Sequence, residues 1–107
     1  MAAVISGGDI MPFEWHDEKA ESNLEKHGIS FEEAMTVFDD PVYLLLADDL
    51  HSENEVRFHC IGRSATGRIL TVSHTEREGG TICLISARLA ARKEVVAYES
   101  ENYDSER

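Results

Sequence analysis

The sequence predicts an α+β fold: two short helices, then a small antiparallel sheet, then one closing helix. Three observations carry this reading. The first forty residues hold two helix-start signals, each with its own stop. Residues 42–87 fall into four apolar runs divided by short polar turns, and residues 89–99 return to a helical composition. Short turns join only antiparallel neighbours, because parallel strands need a crossover of about a dozen residues or more.

Taken in order, Phe13-Glu14-Trp15 alternates apolar and polar as a short strand does. Asp17 stands as an N-cap before a helix over 18–27, and Gly28 ends it. Ser30 and Glu33 have capping-box spacing and open a second helix that runs through about Phe38 and stops at Pro41. Strands follow at 42–47, 56–63, 68–75 and 81–87, with turns at 64–67 and at Glu78-Gly79-Gly80. The last helix spans 89–99, with Leu89, Val96 and Ala97 offered to the sheet and Arg88 and Arg92 one turn apart on a common side. Residues 1–11 read as a disordered extension with Met11 as an alternative start, 12–99 as the folded domain and 100–107 as a frayed polar tail.

The 107 residues, 42% of them hydrophobic, suffice for one domain with one modest core. Their net charge of -11 is unevenly placed. Residues 1–60 carry three basic side chains (Lys19, Lys26 and Arg57) against fourteen acidic ones, whereas residues 61–107 carry seven of each sign. From residue 63 to 93, Arg63, Arg68, Arg77, Arg88, Arg92 and Lys93 face only Glu76 and Glu78. Arginine's rigid fork of donors suits phosphate and carboxylate, so this segregation points to an anion site. The overall acidity argues against a nonspecific nucleic-acid coat protein and would attract a basic partner.

No apolar run approaches the roughly 20 residues of a membrane helix, and the N-terminal stretch lacks the basic region of a signal peptide. Cys60 and Cys83 read as buried, reduced thiols of a cytoplasmic protein. The five histidines, His16, His27, His51, His59 and His74, make no His-x-x-x-His pair, and there is no Cys-x-x-Cys, so neither metal nor cofactor is expected. Gly62, Gly67, Gly79 and Gly80 fall at turns and not in a phosphate loop.

Several separated segments resemble one family. Phe13-Glu14-Trp15, the run from Lys26-His27-Gly28 to Phe31-Glu32-Glu33-Ala34, Val37-Phe38-Asp39-Asp40-Pro41, Arg63-Ser64, His74-Thr75-Glu76-Arg77, and Ile85-Ser86-Ala87-Arg88 followed by Arg92-Lys93-Glu94 look like BrnT-type toxins of bacterial type II toxin–antitoxin systems. The resemblance runs from about Met11 to Tyr98. It implies a RelE-like fold, a metal-independent ribonuclease activity, and a ribbon-helix-helix antitoxin of the BrnA type as partner, with no specific DNA binding by the chain alone.

Metal-free RNA cleavage needs the 2′-hydroxyl deprotonated, the phosphorane charge neutralised and the 5′-oxygen protonated. In that frame His74 is the side chain suited to proton transfer, and Arg77, Arg88 and Arg92 form a phosphate clamp. Lys26, Arg63, Arg68 and Tyr98 are candidate substrate contacts. Each has a plainer reading: Lys26 as solvated surface, Arg63 and Arg68 as hairpin-turn charges, Arg88 and Arg92 as partners of Glu94 or Glu99, His74 as a hydrogen-bonded strand histidine. His27 beside Gly28 fits a helix C-terminus better than catalysis, and Trp15 fits the core. Leu89, Ala90 and Ala91 stand where the family carries a further basic residue and Ala-Thr. One charge and one hydroxyl fewer open a second function class, a toxin-like module that only binds its antitoxin.

Overall fold

The computed structural model describes residues 2–5, 12–49 and 55–105, and these build a six-stranded sheet with helices on both faces. The strands are β1 (Ala2–Ile5), β2 (Pro12–Trp15), β3 (Leu44–Ala47), β4 (Arg57–Arg63), β5 (Ile69–Glu76) and β6 (Ile82–Leu89). The helices are α1 (Asp17–His27), α2 (Phe31–Thr36) and α3 (Arg92–Ser105), with a 3-10 turn at Val37–Asp39 after α2. In space the strands run β1-β2-β6-β5-β4-β3. The four later strands form the antiparallel meander that short turns require. Strand β2 instead lies parallel to β6, so the sheet is mixed. The helical segment carries the chain from β2 to the far edge, and the returning meander ends beside β2 in the same direction.

Several boundaries differ from the sequence reading. Ala2–Ile5 pairs with β2 as a strand, where the sequence reading has a disordered extension. Met1, residues 6–11 with Met11, and His51 lie outside the described residues. The β5–β6 ladder continues through Arg88 and Leu89, so α3 begins only at Arg92, and Arg88 is a strand residue. At its other end α3 runs past residue 100 to Ser105, and residues 106–107 lie outside the described set. It turns Val95 and Tyr98 inward, while Val96 and Leu89 remain more than half exposed. Asp17 sits inside the first turn of α1 after an uncapped His16, where its charge still favours the positive helix end.

The Ser30 cap is present, its hydroxyl accepting the Glu33 N–H at 3.0 Å. Glu33 completes no capping box. Its carboxylate reaches across to the turn between β4 and β5 and accepts from Ser64, Thr66 and Arg68. Arg68 is the largest influence that holds this carboxyl at about 2, against the opposing effect of burial.

One face of the sheet is dry. Phe13, Trp15, Cys60, Leu70, Val72, Ile82, Leu84 and Ala87 meet Ile29, Phe31, Ala34, Val37 and Phe38 from the helical segment. Cys60 and Cys83 are free and buried, and burial pushes the Cys60 thiol up to about 12. Gly62 belongs to the same close packing: a Cβ there would lie 3.0 Å from Val37 Cγ1 and 3.1 Å from Asp40 Oδ2.

Along β6 the inward positions are Leu84 and then Ala87, three residues apart, where a regular strand repeats every two. The register explains it. Leu84 opposes His74 and Ser86 opposes Ser73, so β6 bulges by one residue at Ile85. Just past the bulge, Asn23 of α1 takes both main-chain groups of Ala87, accepting its N–H at 2.9 Å and donating to its carbonyl at 2.8 Å. The same amide donates to the Ile29 carbonyl at 2.9 Å, which ties the α1–α2 connection to the sheet. Removing it strands three buried main-chain groups. Asn23→Ala should therefore lower the free energy of unfolding by ~3 kcal/mol, measured by urea denaturation at pH 7.

His74 lies on the dry face, fully buried. Its ring stacks on Phe58 at 5.6 Å between centroids and meets the edge of Phe38 at 5.1 Å. Neither nitrogen finds a partner of hydrogen-bonding geometry among the described residues. Burial drives its pKa down from the ordinary 6.5 to about 4, and polar relief from the Thr75 backbone opposes that only in part. Because the folded value lies below the unfolded one, the unfolded chain takes the proton first. Stability from this residue is complete above pH 6.5 and is lost as pH falls towards 4. His74→Phe, which keeps the stack without the nitrogens, should flatten the stability loss between pH 6.5 and 4.5 by up to ~3 kcal/mol, seen in urea melts at several pH values.

Candidate active site

The second face of the sheet is partly covered: Ile61, Thr71, Thr75 and Cys83 are buried there, while Ser73, His59 and Arg88 are partly exposed. Helix α3 lies over one end, where Tyr98 is buried and its hydroxyl donates to Asp40 Oδ2 at 2.6 Å. Asp40 also accepts the N–H groups of Arg63 and Val42, and these contacts outweigh burial and depress its pKa. The positions pointing to this face are Glu14 on β2, Cys83 and Arg88 on β6, Thr71, Ser73 and Thr75 on β5, and Arg57, His59 and Ile61 on β4, by alternation from the core residues and the ladder pairings.

Arg88 emerges on this face because of the bulge. Leu84 and Arg88 have the same parity in sequence, and without the extra residue both would point into the core. Its guanidinium donates to both Glu94 oxygens, at 2.7 and 3.0 Å, and to the Leu89 carbonyl at 3.3 Å. Glu94 also accepts from the Thr71 hydroxyl at 3.0 Å and the Ala91 N–H at 2.7 Å. Burial alone would raise the Glu94 carboxyl, but Arg88, Ala91 and Thr71 together hold it at about 2. Glu94 therefore stays ionised and fixes the arginine fork at the border between α3 and the open half of the sheet.

Arg77 marks the other end. It follows β5 and reaches Glu14 at 2.8 Å, Glu55 at 3.5 Å and the Cys83 sulfur at 3.7 Å. Along β6, Cys83 and Arg88 are separated by about 15 Å of strand. Arg92 is exposed in the first turn of α3, in the same turn as Glu94.

Of the residues expected to act together, Arg77, Arg88 and Arg92 border this one face. The others are elsewhere. His74 faces the opposite side, inside the core, and meets none of the arginines. Lys26 is exposed on α1, which packs on the dry face. Arg68 is bound to Glu33, with a further long contact to the Gly28 carbonyl at 3.4 Å, and Arg63 bridges its own turn to the Gly67 carbonyl at 2.9 Å. Tyr98 is 3% exposed and offers no surface for base stacking.

Charge patterning did not single out the middle of the face, which holds His59, Ser73 and Asp48. Ser73 Oγ lies 2.9 Å from His59 Nδ1, and His59 Nε2 lies 3.1 Å from Asp48 Oδ2. The sequence signal was the polar position His59 in the alternating run at 56–63, which only the β4–β5 register places opposite Ser73. Among the described residues, no group of three His, Cys, Asp or Glu side chains is disposed to hold a metal ion, and no helix is long and apolar enough to cross a membrane.

Comparison with known proteins matches this architecture. The family described as "Ribonuclease toxin, BrnT, of type II toxin-antitoxin system" matches residues 15–94. No curated protein matches the chain. Among solved structures, the 1.1 Å crystal structure of the Brucella abortus ribonuclease toxin BrnT superposes with a TM-score of 0.59 at 20% identity, over 75% of this chain and 96% of that one. The match takes in α1, α2, β3 to β6 and the start of α3, with Arg77, Arg88 and Arg92, and the chain belongs to the BrnT family of ribonuclease toxins of type II toxin–antitoxin systems.

Proposed function

We propose that this chain is an active cytoplasmic endoribonuclease toxin that cleaves RNA without a metal, by attack of the 2′-hydroxyl on the adjacent phosphate. The observation that carries the reading is Arg88, turned onto the half-open face by the bulge and held there by Glu94. A guanidinium fixed before the substrate arrives costs no reorganisation as charge builds on the phosphorane. Three of its five donors are engaged, so two remain for phosphate oxygens. Arg77 and Arg92 supply positive charge on either side. A ribbon-helix-helix antitoxin of the BrnA type would neutralise the toxin by covering this face, and the acidic first half of the chain gives a basic partner segment a docking surface.

A second reading draws on the same ion pair. Glu94 cancels most of the Arg88 charge, Arg68 is committed to Glu33, and Leu89, Ala90 and Ala91 add no charge at the β6–α3 junction. A chain so neutralised could serve as a module that only binds its antitoxin. Induced expression separates the two. The wild type should arrest growth and deplete total RNA, and the Arg88→Ala/Arg92→Ala pair should reduce cleavage by about 100- to 1000-fold or more and restore growth. Normal growth with intact RNA in both strains would select the binding module.

A further inference from the structure

Between Arg77 and Arg88 the open face carries a connected set drawn from three places in the chain: Ser73 on β5, His59 on β4 and Asp48 just beyond β3. The ladder fixes the first two, because His59 pairs with Ser73 across the sheet. The third is fixed by its own main chain, whose N–H donates to the Arg57 carbonyl at 2.7 Å. Asp48 is 7% exposed, whereas the His59 side chain is 28% exposed and Ser73 is half-buried, so the set runs from the interior to the surface. A carboxylate only accepts. A ring that carries its hydrogen on Nε2, facing Asp48, would leave the Nδ1 lone pair to accept the Ser73 hydroxyl. This is the order of contacts in which an acid orients a histidine and the histidine activates a hydroxyl.

We propose that Ser73, His59 and Asp48 form a proton relay that serves as the general base for RNA cleavage, a role that rests on the ribonuclease reading above. Ser73 is the catalytic residue, the group that meets the 2′-hydroxyl; His59 accepts the proton behind it, and Asp48 is a positioning residue. As O2′ forms its bond to phosphorus, its proton passes to Ser73 Oγ while the Oγ proton passes to His59 Nδ1. Asp48 stabilises the resulting imidazolium. The P–O5′ bond breaks with its electron pair on O5′, which takes a proton from solvent, and His59 then returns its own proton to solvent. The products are a 2′,3′-cyclic phosphate and a 5′-hydroxyl. Arg88 and Arg77 flank the relay, where they can meet the charge on the non-bridging oxygens.

Steady-state cleavage of a fluorogenic RNA oligonucleotide by the purified full chain tests the relay. In Ser73→Ala and His59→Gln, kcat should fall by about 100- to 10,000-fold with KM within about twofold of wild type. The double variant should fall no further than either single one, because both remove one path. Nitrogen-15 spectra of the wild type should show the hydrogen of the His59 ring on Nε2, a preference that Asp48→Ala should abolish. Ser73→Ala removes a single oxygen atom and keeps the test readable should His59→Gln unfold. Cleavage with an unchanged kcat in Ser73→Ala, or a hydrogen found on Nδ1, would overturn the relay and leave the ribonuclease reading standing. Intact RNA with the wild type would overturn both.

Discussion

The contact between Asn23 and Ala87 is the constraint on which the rest of this architecture depends. Strand β2 pairs with β6 only at Ile82 and Cys83, so Ala87 further along has an N–H and a carbonyl directed away from β5, and such groups need a partner. Asn23 supplies one donor and one acceptor from a single planar amide, as a further strand would. With its second donor on the Ile29 carbonyl it also fixes where the chain leaves α1. The seat of α1 and the course of β6 just before Arg88 are thus fixed by one side chain. A regular β6 would send Arg88 into the core, beside Leu70 and Val72, where an unpaired charge cannot be held.

Two other carboxylates extend this logic to the opposite edge. Glu33 leaves its own helix cap to gather Ser64, Thr66 and Arg68, and so clamps the β4–β5 turn to α2. Asp40 accepts from Val42, Arg63 and Tyr98, so the end of the helical segment, the end of β4 and α3 meet at one side chain. Two of the fourteen acidic residues of the first half are therefore structural. They arrange basic residues and main-chain donors and do not merely repel polyanions. The consequence for function is selective: Arg68 and Tyr98 are consumed by the fold, while Arg77, Arg88 and Arg92 keep a border on the open face.

How much of this was legible depended on whether a signal was local. Gly28, Ser30 and the polar turns act within a few residues, and the helices and the meander followed from them. The parallel pairing of β2 with β6 joins residues about seventy apart in sequence, and nothing local announces it. The site was harder, because strand side chains alternate in face and one inserted residue reverses every later assignment. Arg88 was expected on a helix because its neighbours Leu89, Ala90 and Ala91 favour one. The ladder overrode that propensity by continuing to Leu89. His59 and His74 look equivalent on paper, each a histidine in an apolar run. They differ only in parity against the core: Phe58 and His74 point in, His59 and Ser73 point out.

That parity decides which histidine the proposed relay can use. A general base must hold its lone pair near neutral pH and reach the proton it removes. His74 satisfies the first condition, since burial keeps it neutral down to about pH 4, but it is sealed between Phe38 and Phe58. His59 lies on the open side with a carboxylate behind it and a hydroxyl before it. The arrangement also gives the ion pair of Arg88 and Glu94 a clear role. An arginine with no partner on a half-open face would sweep through many rotamers, whereas one held by a carboxylate that stays ionised keeps its remaining donors aimed at a fixed point. Some long-range attraction for RNA is lost by that pairing. In the proposed reaction the gain is a guanidinium already in place when the phosphorane forms, which is where electrostatic stabilisation of the transition state has its largest effect.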